Sequence, residues 1–191
     1  MTKSELRKIF RRRGASLTRT ETAELSRQIA DKLFGSVQLA GVGTLHCFIL
    51  IEKFNEIDTS LIFDRVWSDF PSIRTAVPRI NPSNGELENY LYDAQTPLIE
   101  NRWGIREPVS GEMIAPSELD IVLVPLLCFD ESGHRVGYGK GFYDKLLSIC
   151  RPDCRKLGLS FFPPVLKITD TAPHDIQLDA CITPERMFSF S

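Results

Sequence analysis

The sequence has little of what marks secreted, membrane-spanning or nucleic-acid-binding proteins. Its five cysteines are an odd number and include no CxxC pair, which excludes the usual disulfide-scaffold and zinc-site patterns. No apolar run approaches the roughly 20 residues that a membrane-spanning helix needs. The formal net charge of -2 lacks the basic excess typical of proteins that bind nucleic acids. We therefore expect no membrane or nucleic-acid partner, and reduced thiols at Cys47, Cys128, Cys150, Cys154 and Cys181.

The N-terminus also lacks an apolar signal segment. Its first residues, MTKSELRKIFRRR, are charged from the start, so we expect a cytoplasmic protein. With 191 residues, of which 42% are hydrophobic and 25% charged, the chain suits one compact domain over 1–191, which we expect to be a monomer. A domain of this size buries roughly 70% of its unfolded surface, so it needs no disulfide or structural metal.

Apolar runs that end at proline or turn residues alternate with helical patterns along the chain. Strands are predicted at 44–51, 73–77, 87–92, 119–124, 156–161 and 180–183, the second of them ending at Pro78. Helices are predicted at 3–13 with Gly14 as the stop, from Thr18 or Thr20 to 34, from Asp58 or Thr59 to 68, and at 142–149. This alternation predicts a three-layer α/β domain with a mostly parallel sheet.

The most informative stretch is 125–144, PLLCFDESGHRVGYGKGFYD, between a predicted strand and a predicted helix. Its glycines Gly137, Gly139 and Gly141 alternate with other residues, which lets backbone N–H groups converge on an anion just before a helix start. Phosphate is therefore the predicted ligand. The stretch matches neither a P-loop nor a GxGxxG motif, because Gly141 follows Lys140 and Phe142 stands where a third motif glycine would be. The alternative is a flexible turn into the helix.

The first predicted helix carries basic residues on two different faces. Leu6, Ile9, Phe10 and Arg13 share one face at helical spacing. Lys3 and Arg7 lie at the border of this face, whereas Lys8 and Arg12 point away from it. A cation at the border of a docked helix can reach over a neighbouring cleft, so we expect this of Lys3 and Arg7. The alternative is a solvated basic face.

Three acids and one aromatic residue complete the candidate site. Glu56 lies where a strand exits toward a helix, which in α/β sheets lines the ligand crevice, although a loop glutamate is usually only solvated. Trp103 in an irregular segment could stack on a flat heterocycle, or could belong to the core. Asp144, in a first helical turn that favours acids for dipole reasons alone, could bind Mg²⁺ together with Asp175.

Three segments resemble the 5-formyltetrahydrofolate cyclo-ligase family, also called 5,10-methenyltetrahydrofolate synthetases. They are KSELR at 3–7, NEIDT at 55–59 and FDESGHRVGYGKGFYD at 129–144, and the resemblance runs in family order to His174-Asp175. It implies an α/β fold related to the ribose-5-phosphate isomerase type. It also implies that the chain uses Mg²⁺ and ATP to convert 5-formyltetrahydrofolate to 5,10-methenyltetrahydrofolate, with release of ADP and phosphate, through a phosphorylated formyl group that N10 attacks.

The resemblance also implies roles for individual residues. For ATP it implies Lys3, Ser4, Glu5, Leu6, Arg7, Arg135, Val136, Gly137, Tyr138, Gly139, Lys140, Gly141, Phe142 and Tyr143. Of these, Arg135, Lys140 and Tyr143 are the implied catalytic residues. For the folate it implies Arg7, Ile51, Glu56, Trp103, Tyr138, Gly139, Lys140, Gly141 and Phe142, and for Mg²⁺ Asp144 and Asp175. Three departures predict a tighter pocket behind the loop: Leu126 where many members have glycine, Cys128 where they have a small residue, and Phe142 where tyrosine is frequent.

Two other functions remain open at this point. One is an ATP-dependent enzyme on the same scaffold with an acceptor other than a folate. The other is a non-catalytic member whose basic first helix binds RNA. The balanced net charge and the lack of a strand with interleaved aromatic and basic residues favour the first of these over the second.

Overall fold

The computed structural model describes residues 1–81, 83–101 and 104–190. Its helices are α1 (Lys3–Ser16), α2 (Arg19–Ser36), α3 (Ser60–Asp69) and α4 (Phe142–Ser148). Its strands are β1 (Thr44–His46), β2 (Arg74–Ile80), β3 (Leu87–Leu91), β4 (Leu98–Glu100), β5 (Arg106–Pro108), β6 (Met113–Ile114), β7 (Ile121–Pro125), β8 (Cys128–Phe129), β9 (Arg135–Val136), β10 (Arg155–Leu159), β11 (Ala180–Ile182) and β12 (Met187–Ser189). Among the described residues, no helix has the length and apolar character needed to cross a membrane.

Eight strands form one sheet in the order β12-β11-β10-β7-β1-β2-β3-β6. The five central strands from β11 to β2 run parallel, and β12, β3 and β6 add antiparallel edges. Two small hairpins, β4–β5 and β8–β9, lie outside this sheet. The predicted α/β class with a mostly parallel sheet is confirmed.

Alternating side chains of the central strands build a core on each face of the sheet. Ile121 and Leu123 of β7 pack with α2 and α3, where Ile29 and Ile62 belong to the same cluster. Val122 and Val124 point to the opposite face and pack with α4. Because successive side chains of a strand face opposite sides, a continuous apolar strand requires a layer on each face. The result is the predicted three-layer arrangement.

A third and smaller apolar cluster seats α1. Leu6 and Phe10 pack against Cys128 and Val136 of the β8–β9 hairpin and against Ile168. The helix starts with a capping box in which Thr2 and Glu5 bond each other's backbone N–H. The Lys3 N–H also donates to Asp170 Oδ1 at 2.6 Å. The helix N-terminus is thus fixed to the 167–170 segment as well as to the hairpin.

Two details of the predicted α1 are wrong. The helix continues past Gly14 to Ser16, because Gly14 keeps a helical backbone and Leu17 closes the last turn by donating to the Gly14 carbonyl. The spacing places Ile9 on the apolar face, but this residue is 39% exposed, since the hairpin covers only the stripe of Leu6 and Phe10.

Two predicted strand ends are also wrong, because each depends on which residues lie beside the strand in the sheet. β1 stops at His46, and beyond it the Phe48 carbonyl accepts a hydrogen bond from the Thr59 hydroxyl at 2.7 Å instead of from a strand. β2 passes through Pro78, where the sequence predicts its end. Pro78 lies opposite Asn89 of β3, but β1 pairs with β2 only as far as Ala76, so a proline at 78 costs no ladder hydrogen bond on the β1 side.

Gly133 closes the β8–β9 hairpin, and its replacement by alanine tests that turn. Its φ is +82°, and a Cβ would lie 2.8 Å from the Phe190 ring and 3.0 Å from the Leu178 carbonyl oxygen. We expect Gly133→Ala to lower the free energy of unfolding by about 2–4 kcal/mol, from backbone strain and overpacking. The measurement is urea denaturation followed by circular dichroism.

Gly35 provides the matched control, because it is a helical glycine and, apart from its chain neighbours and the adjacent helix backbone, no described atom lies within 4 Å of the point that an added Cβ would occupy. Gly35→Ala should raise the free energy of unfolding by up to about 1 kcal/mol. Equal shifts in the two variants would contradict the role assigned to the Gly133 turn.

Candidate active site

A cleft of about 230 Å³ opens at the carboxyl ends of β1, β7 and β10, with α1 on its other side. Ligands of open α/β sheets usually bind at such strand ends. Most of its lining is apolar: Phe10, Phe48, Phe54, Ile57, Pro125, Leu126, Leu127, Leu159, Phe161 and Phe162. The polar residues that line it include Arg11, Lys53, Asn55, Glu56 and Tyr138. The cleft is therefore suited to a flat apolar ligand that carries a few polar groups.

Glu56 is the buried acid of this cleft. Its side chain accepts a hydrogen bond from the Ile51 N–H at 2.8 Å and one from the Tyr138 hydroxyl. Burial raises the pKa of Glu56 to about 7, and these two hydrogen bonds only partly oppose that effect. Burial and the neighbouring Glu56 also raise the pKa of Tyr138, so its hydroxyl stays protonated and donates. Glu56 can therefore accept hydrogen bonds from ligand N–H groups near neutral pH.

Asn55 fixes the loop that presents Glu56. Its backbone has a φ of 51°, in the left-handed region that asparagine tolerates better than most residues. Its side-chain amide donates to the carbonyls of Gly14 at 2.8 Å and Leu17 at 3.1 Å, and its oxygen accepts from Thr22 at 3.2 Å. The loop is thus tied to the end of α1 and the start of α2, and these bonds hold Glu56 in the cleft.

The glycine loop, residues 137–141, lies beneath α1 and contacts two of its arginines. Arg7 Nε donates to the Gly137 carbonyl at 3.0 Å, and Arg11 Nη2 donates to the Tyr138 carbonyl at 3.3 Å. Gly139 has a φ of +96°, and a Cβ on it would lie 3.4 Å from Arg7 Cζ. The loop therefore needs glycine at 139 both for its backbone conformation and to make room for the Arg7 guanidinium.

Four charged side chains form a cluster: Lys3, Arg135, Asp144 and Asp175. Arg135, which is only 9% exposed, donates to Asp144 Oδ1 at 2.7 Å and to the Ile176 carbonyl. Asp144 Oδ1 also accepts from the Ile176 N–H at 3.2 Å. Lys3 pairs with Asp175. The first helix, the helix that follows the glycine loop and the His174-Asp175 segment, which are far apart in the sequence, thus meet in the fold.

The pKa shifts in this cluster follow from burial and pairing. Burial lowers the pKa of Arg135, and the charge of Asp144 opposes that shift. Burial alone would raise the pKa of Asp175, but the Lys3 ammonium and the Ala172 N–H outweigh it, so this pKa lies below its ordinary value. Asp175 is therefore ionised at neutral pH and can bind a cation.

The two carboxylates fit Mg²⁺. Asp144 uses only Oδ1 and Asp175 only Oδ2 for hydrogen bonds, which leaves one oxygen of each without such a bond in the described part of the chain. No group of three or more potential metal ligands occurs among the described residues. Mg²⁺ typically takes one or two carboxylates and completes its shell with phosphate oxygens and water. Two carboxylates are too few for a structural metal site but match what Mg²⁺ takes from a protein when it binds with a nucleotide, so the role of Asp144 and Asp175 as Mg²⁺ ligands stays a prediction.

Tyr143 places a buried hydroxyl at the start of α4 that has no hydrogen-bond partner among the residues described. Its ring contacts His46 edge-on, at 6.1 Å between ring centroids. Burial lowers the pKa of His46 to about 3, so this histidine is neutral. An unpaired buried hydroxyl costs roughly 1–3 kcal/mol, and a ligand oxygen could satisfy it. The Tyr143 hydroxyl therefore has an unsatisfied hydrogen-bonding capacity at the start of α4.

The other predicted site residues differ in how far they can reach a ligand. Lys3 and Arg7 are half-buried over the loops, whereas Lys8 and Arg12 are exposed, as predicted. The side chains of Leu6 and Val136 lie in the apolar cluster, and Glu5 caps Thr2, so these three can approach ATP only by their backbones. Ser4, Lys140 and Gly141 are exposed, Phe142 starts α4, and Ile51 contributes its N–H to Glu56. Trp103 lies outside the described residues. The ligand contacts of all these residues remain predictions.

Sequence reasoning missed Arg11, His46 and Phe54. Arg11 had a usable signal, because Lys3, Arg7 and Arg11 recur every four residues and so share one helix face. Phe54 stacks on Tyr138 at 5.3 Å between ring centroids, and a lone aromatic in a loop gives no sign of such a contact. His46 is a single histidine in a buried strand, a pattern that indicates only a core position.

Comparisons with known proteins agree with this geometry. The model of the 5-formyltetrahydrofolate cyclo-ligase family matches residues 1–184. The 5-formyltetrahydrofolate cyclo-ligase of Escherichia coli (strain K12) is 27% identical over 95% of this chain and 100% of its own, and that of Mycoplasma genitalium is 28% identical over 94% and 96%. The structure of Aquifex aeolicus 5,10-methenyltetrahydrofolate synthetase superposes with a TM-score of 0.83 at 27% identity, covering 99% of this chain and 93% of that one. The chain therefore belongs to the 5-formyltetrahydrofolate cyclo-ligase family.

Proposed function

We propose that this protein uses ATP and Mg²⁺ to convert 5-formyltetrahydrofolate to 5,10-methenyltetrahydrofolate, releasing ADP and phosphate. The observation that carries the proposal is the glycine loop, which borders two different sites at once. One side of it contacts Glu56 through Tyr138, in the apolar cleft. The other side leads into Asp144, in the charged cluster with Lys3, Arg135 and Asp175. A folate and a nucleotide would meet across this loop.

The reaction requires activation of the formyl group. A formyl group on N5 is amide-like, so its carbon is a poor electrophile and its oxygen a poor leaving group. Transfer of the ATP γ-phosphoryl group to that oxygen gives an iminium-like phosphate. The N10 lone pair then attacks the formyl carbon, N10 loses its proton, and the C–O bond breaks to release phosphate. The protein must mainly position the two substrates and neutralise phosphate charge.

The cations of the site suit the nucleotide. In the described part of the chain, Arg7 makes one hydrogen bond, through Nε, so its two terminal nitrogens are available to phosphate oxygens. Arg135 is held rigidly by Asp144 and the Ile176 carbonyl, which preorganises its charge. Lys140 is exposed on the loop itself and can reach a phosphate without breaking an ion pair.

Asp144 and Asp175 would hold Mg²⁺ through their free oxygens. The ion would neutralise charge on the ATP phosphates, as it does in phosphoryl transfer generally. Lys3 pairs with Asp175 and Arg135 with Asp144, and these ion pairs orient both carboxylates before the nucleotide binds.

The cleft suits the pterin. Ionised Glu56 would accept hydrogen bonds from the pterin N–H edge, and the stacked Phe54 and Tyr138 rings would cover the flat heterocycle. The Tyr143 hydroxyl would donate to the formyl oxygen or to the phosphoryl group that it receives. Lys3 and Arg7 are half-buried against the loops, which disfavours the alternative of an RNA-binding helix.

The direct test is the absorbance of the methenyl product after purified protein is mixed with 5-formyltetrahydrofolate and MgATP. We expect stoichiometric release of ADP and product. Folate-independent ATP turnover with another acceptor, and no methenyl absorbance, would instead support an enzyme with a non-folate substrate.

Asp144→Asn tests the nucleotide site. Removal of the carboxylate charge should lower kcat by at least about 100-fold, because Mg²⁺ and Arg135 would both lose the negatively charged Asp144 as their partner. Asp153→Asn is the matched control, since Asp153 also pairs with an arginine but is 76% exposed at its side chain and lies outside the cluster. Circular dichroism establishes that both variants are folded. Wild-type turnover by folded Asp144→Asn would remove the metal role.

Glu56→Gln tests the cleft through its pH dependence. Because the pKa of Glu56 is about 7, the ionised fraction grows as pH rises from 6 to 8, and kcat/KM for the folate should rise with it. In Glu56→Gln this rise should disappear. Titration of MgATP is common to both proteins, so the difference between the two profiles isolates Glu56.

Glu56 should also make the free energy of unfolding depend on pH, which can be measured without substrate. Its pKa is about 7 in the folded protein and 4.5 in its unperturbed state, so ionisation opposes folding as pH rises through this interval. The advantage of Glu56→Gln in free energy of unfolding should grow by about 3 kcal/mol between pH 4.5 and pH 7. A pH-independent difference would show that Glu56 is not buried as described.

A further inference from the structure

Three charged side chains that line the cleft, Arg11, Lys53 and Glu56, lie around one pair of aromatic rings. The Phe54 and Tyr138 rings stack with centroids 5.3 Å apart. Arg11 Cζ lies 5.9 Å from the Tyr138 ring centroid, and Lys53 Nζ lies 5.2 Å from the Phe54 ring centroid. Glu56 contacts the same pair from the buried side, through the Tyr138 hydroxyl. The aromatic pair thus has a buried acid at its inner end and two exposed cations beside it.

Among the described side chains, which do not include that of Glu52, neither Arg11 nor Lys53 has an acidic partner within 4.0 Å. Among these residues, Arg11 donates only to the Tyr138 carbonyl. Lys53 Nζ and Glu100 Oε1 both lie near Gly104, at 3.5 and 3.6 Å from the position of an added Cβ, but they do not form an ion pair. The mouth of the cleft therefore presents two exposed cations, while its interior carries a carboxyl group.

We propose that Arg11 and Lys53 form the subsite that binds the glutamate carboxylates of the folate substrate. The inference rests on the proposed function and adds the recognition of the substrate's outer end. 5-Formyltetrahydrofolate has an N–H-rich pterin edge, then an aromatic ring, then a glutamate with two carboxylates. The cleft presents the complementary order: a hydrogen-bond acceptor at Glu56, an aromatic pair, and two cations.

Because both cations are exposed, we expect each to have only a modest effect on KM for the folate. Exposed ion pairs contribute little individually, so each cation should change KM by roughly two- to fivefold. The guanidinium of Arg11 can also bind a carboxylate through two parallel N–H groups while Tyr138 orients it. We therefore assign the subsite a role in substrate selection rather than in the chemical step.

The test compares two substrates in variants of the purified protein. 5-Formyltetrahydropteroate has the pterin and the aromatic ring of the folate but lacks glutamate. In Arg11→Met/Lys53→Met, KM for 5-formyltetrahydrofolate should rise by about tenfold, KM for the pteroate should stay unchanged, and kcat for both should change by less than about threefold. Added salt should close the gap between the substrates in the wild-type protein only.

Two control variants keep the outcomes separable. Arg11→Lys keeps the charge and should retain most of the preference for the glutamate-bearing substrate. Lys8→Met/Arg12→Met removes two cations from the outward face of α1 and should change neither KM. If Arg11→Met/Lys53→Met raises KM equally for both substrates, the cations act only by positioning Tyr138 and the proposal is wrong. If the wild-type protein converts neither substrate, the proposed function itself fails.

Discussion

The apolar contact between α1 and the β8–β9 hairpin is the constraint on which the site depends. Leu6 and Phe10 pack against Cys128, Val136 and Ile168. This contact holds the cations of α1 over partners that lie 127 to 172 residues away in the sequence. A free basic helix would leave those charges in water, where single ion pairs contribute little. Burial of a few apolar side chains thus organises the electrostatics of the site.

Charge within the cluster of Lys3, Arg135, Asp144 and Asp175 is balanced before any substrate binds. Lys3 and Arg135 are neutralised by Asp175 and Asp144, so the cluster carries no net charge of its own. Arg7 and Lys140 then supply net positive charge next to it. Buried Arg135 would be costly without Asp144, because an unpaired charge in the interior loses its hydration without compensation. The same carboxylate therefore stabilises the fold and remains available to a metal.

The predictable parts of the structure are those that local pattern decides. The runs of β7 and β10 and the amphipathic pattern of α3 are predictable to within a few residues, because burial on two faces or one gives a clear periodicity. The early end of β1 and the passage of β2 through Pro78 depend on which strand lies beside them, which no local window contains. Among site residues, Lys3 and Arg7 follow from helix geometry. Phe54 and His46 do not, because their roles arise only from contacts with Tyr138 and Tyr143.

Gly139 shows how the meaning of a motif changes once its neighbours are known. The alternating glycines predict a backbone that converges on phosphate, and that remains a prediction. The structure adds a second requirement, because any side chain at 139 would strain the backbone and crowd the Arg7 guanidinium. Arg7 in turn bonds the Gly137 carbonyl, so it reaches the loop only where the glycines admit it. Small residues at these positions therefore serve the docking of α1 as directly as the binding of an anion, and a change at 139 would disturb both.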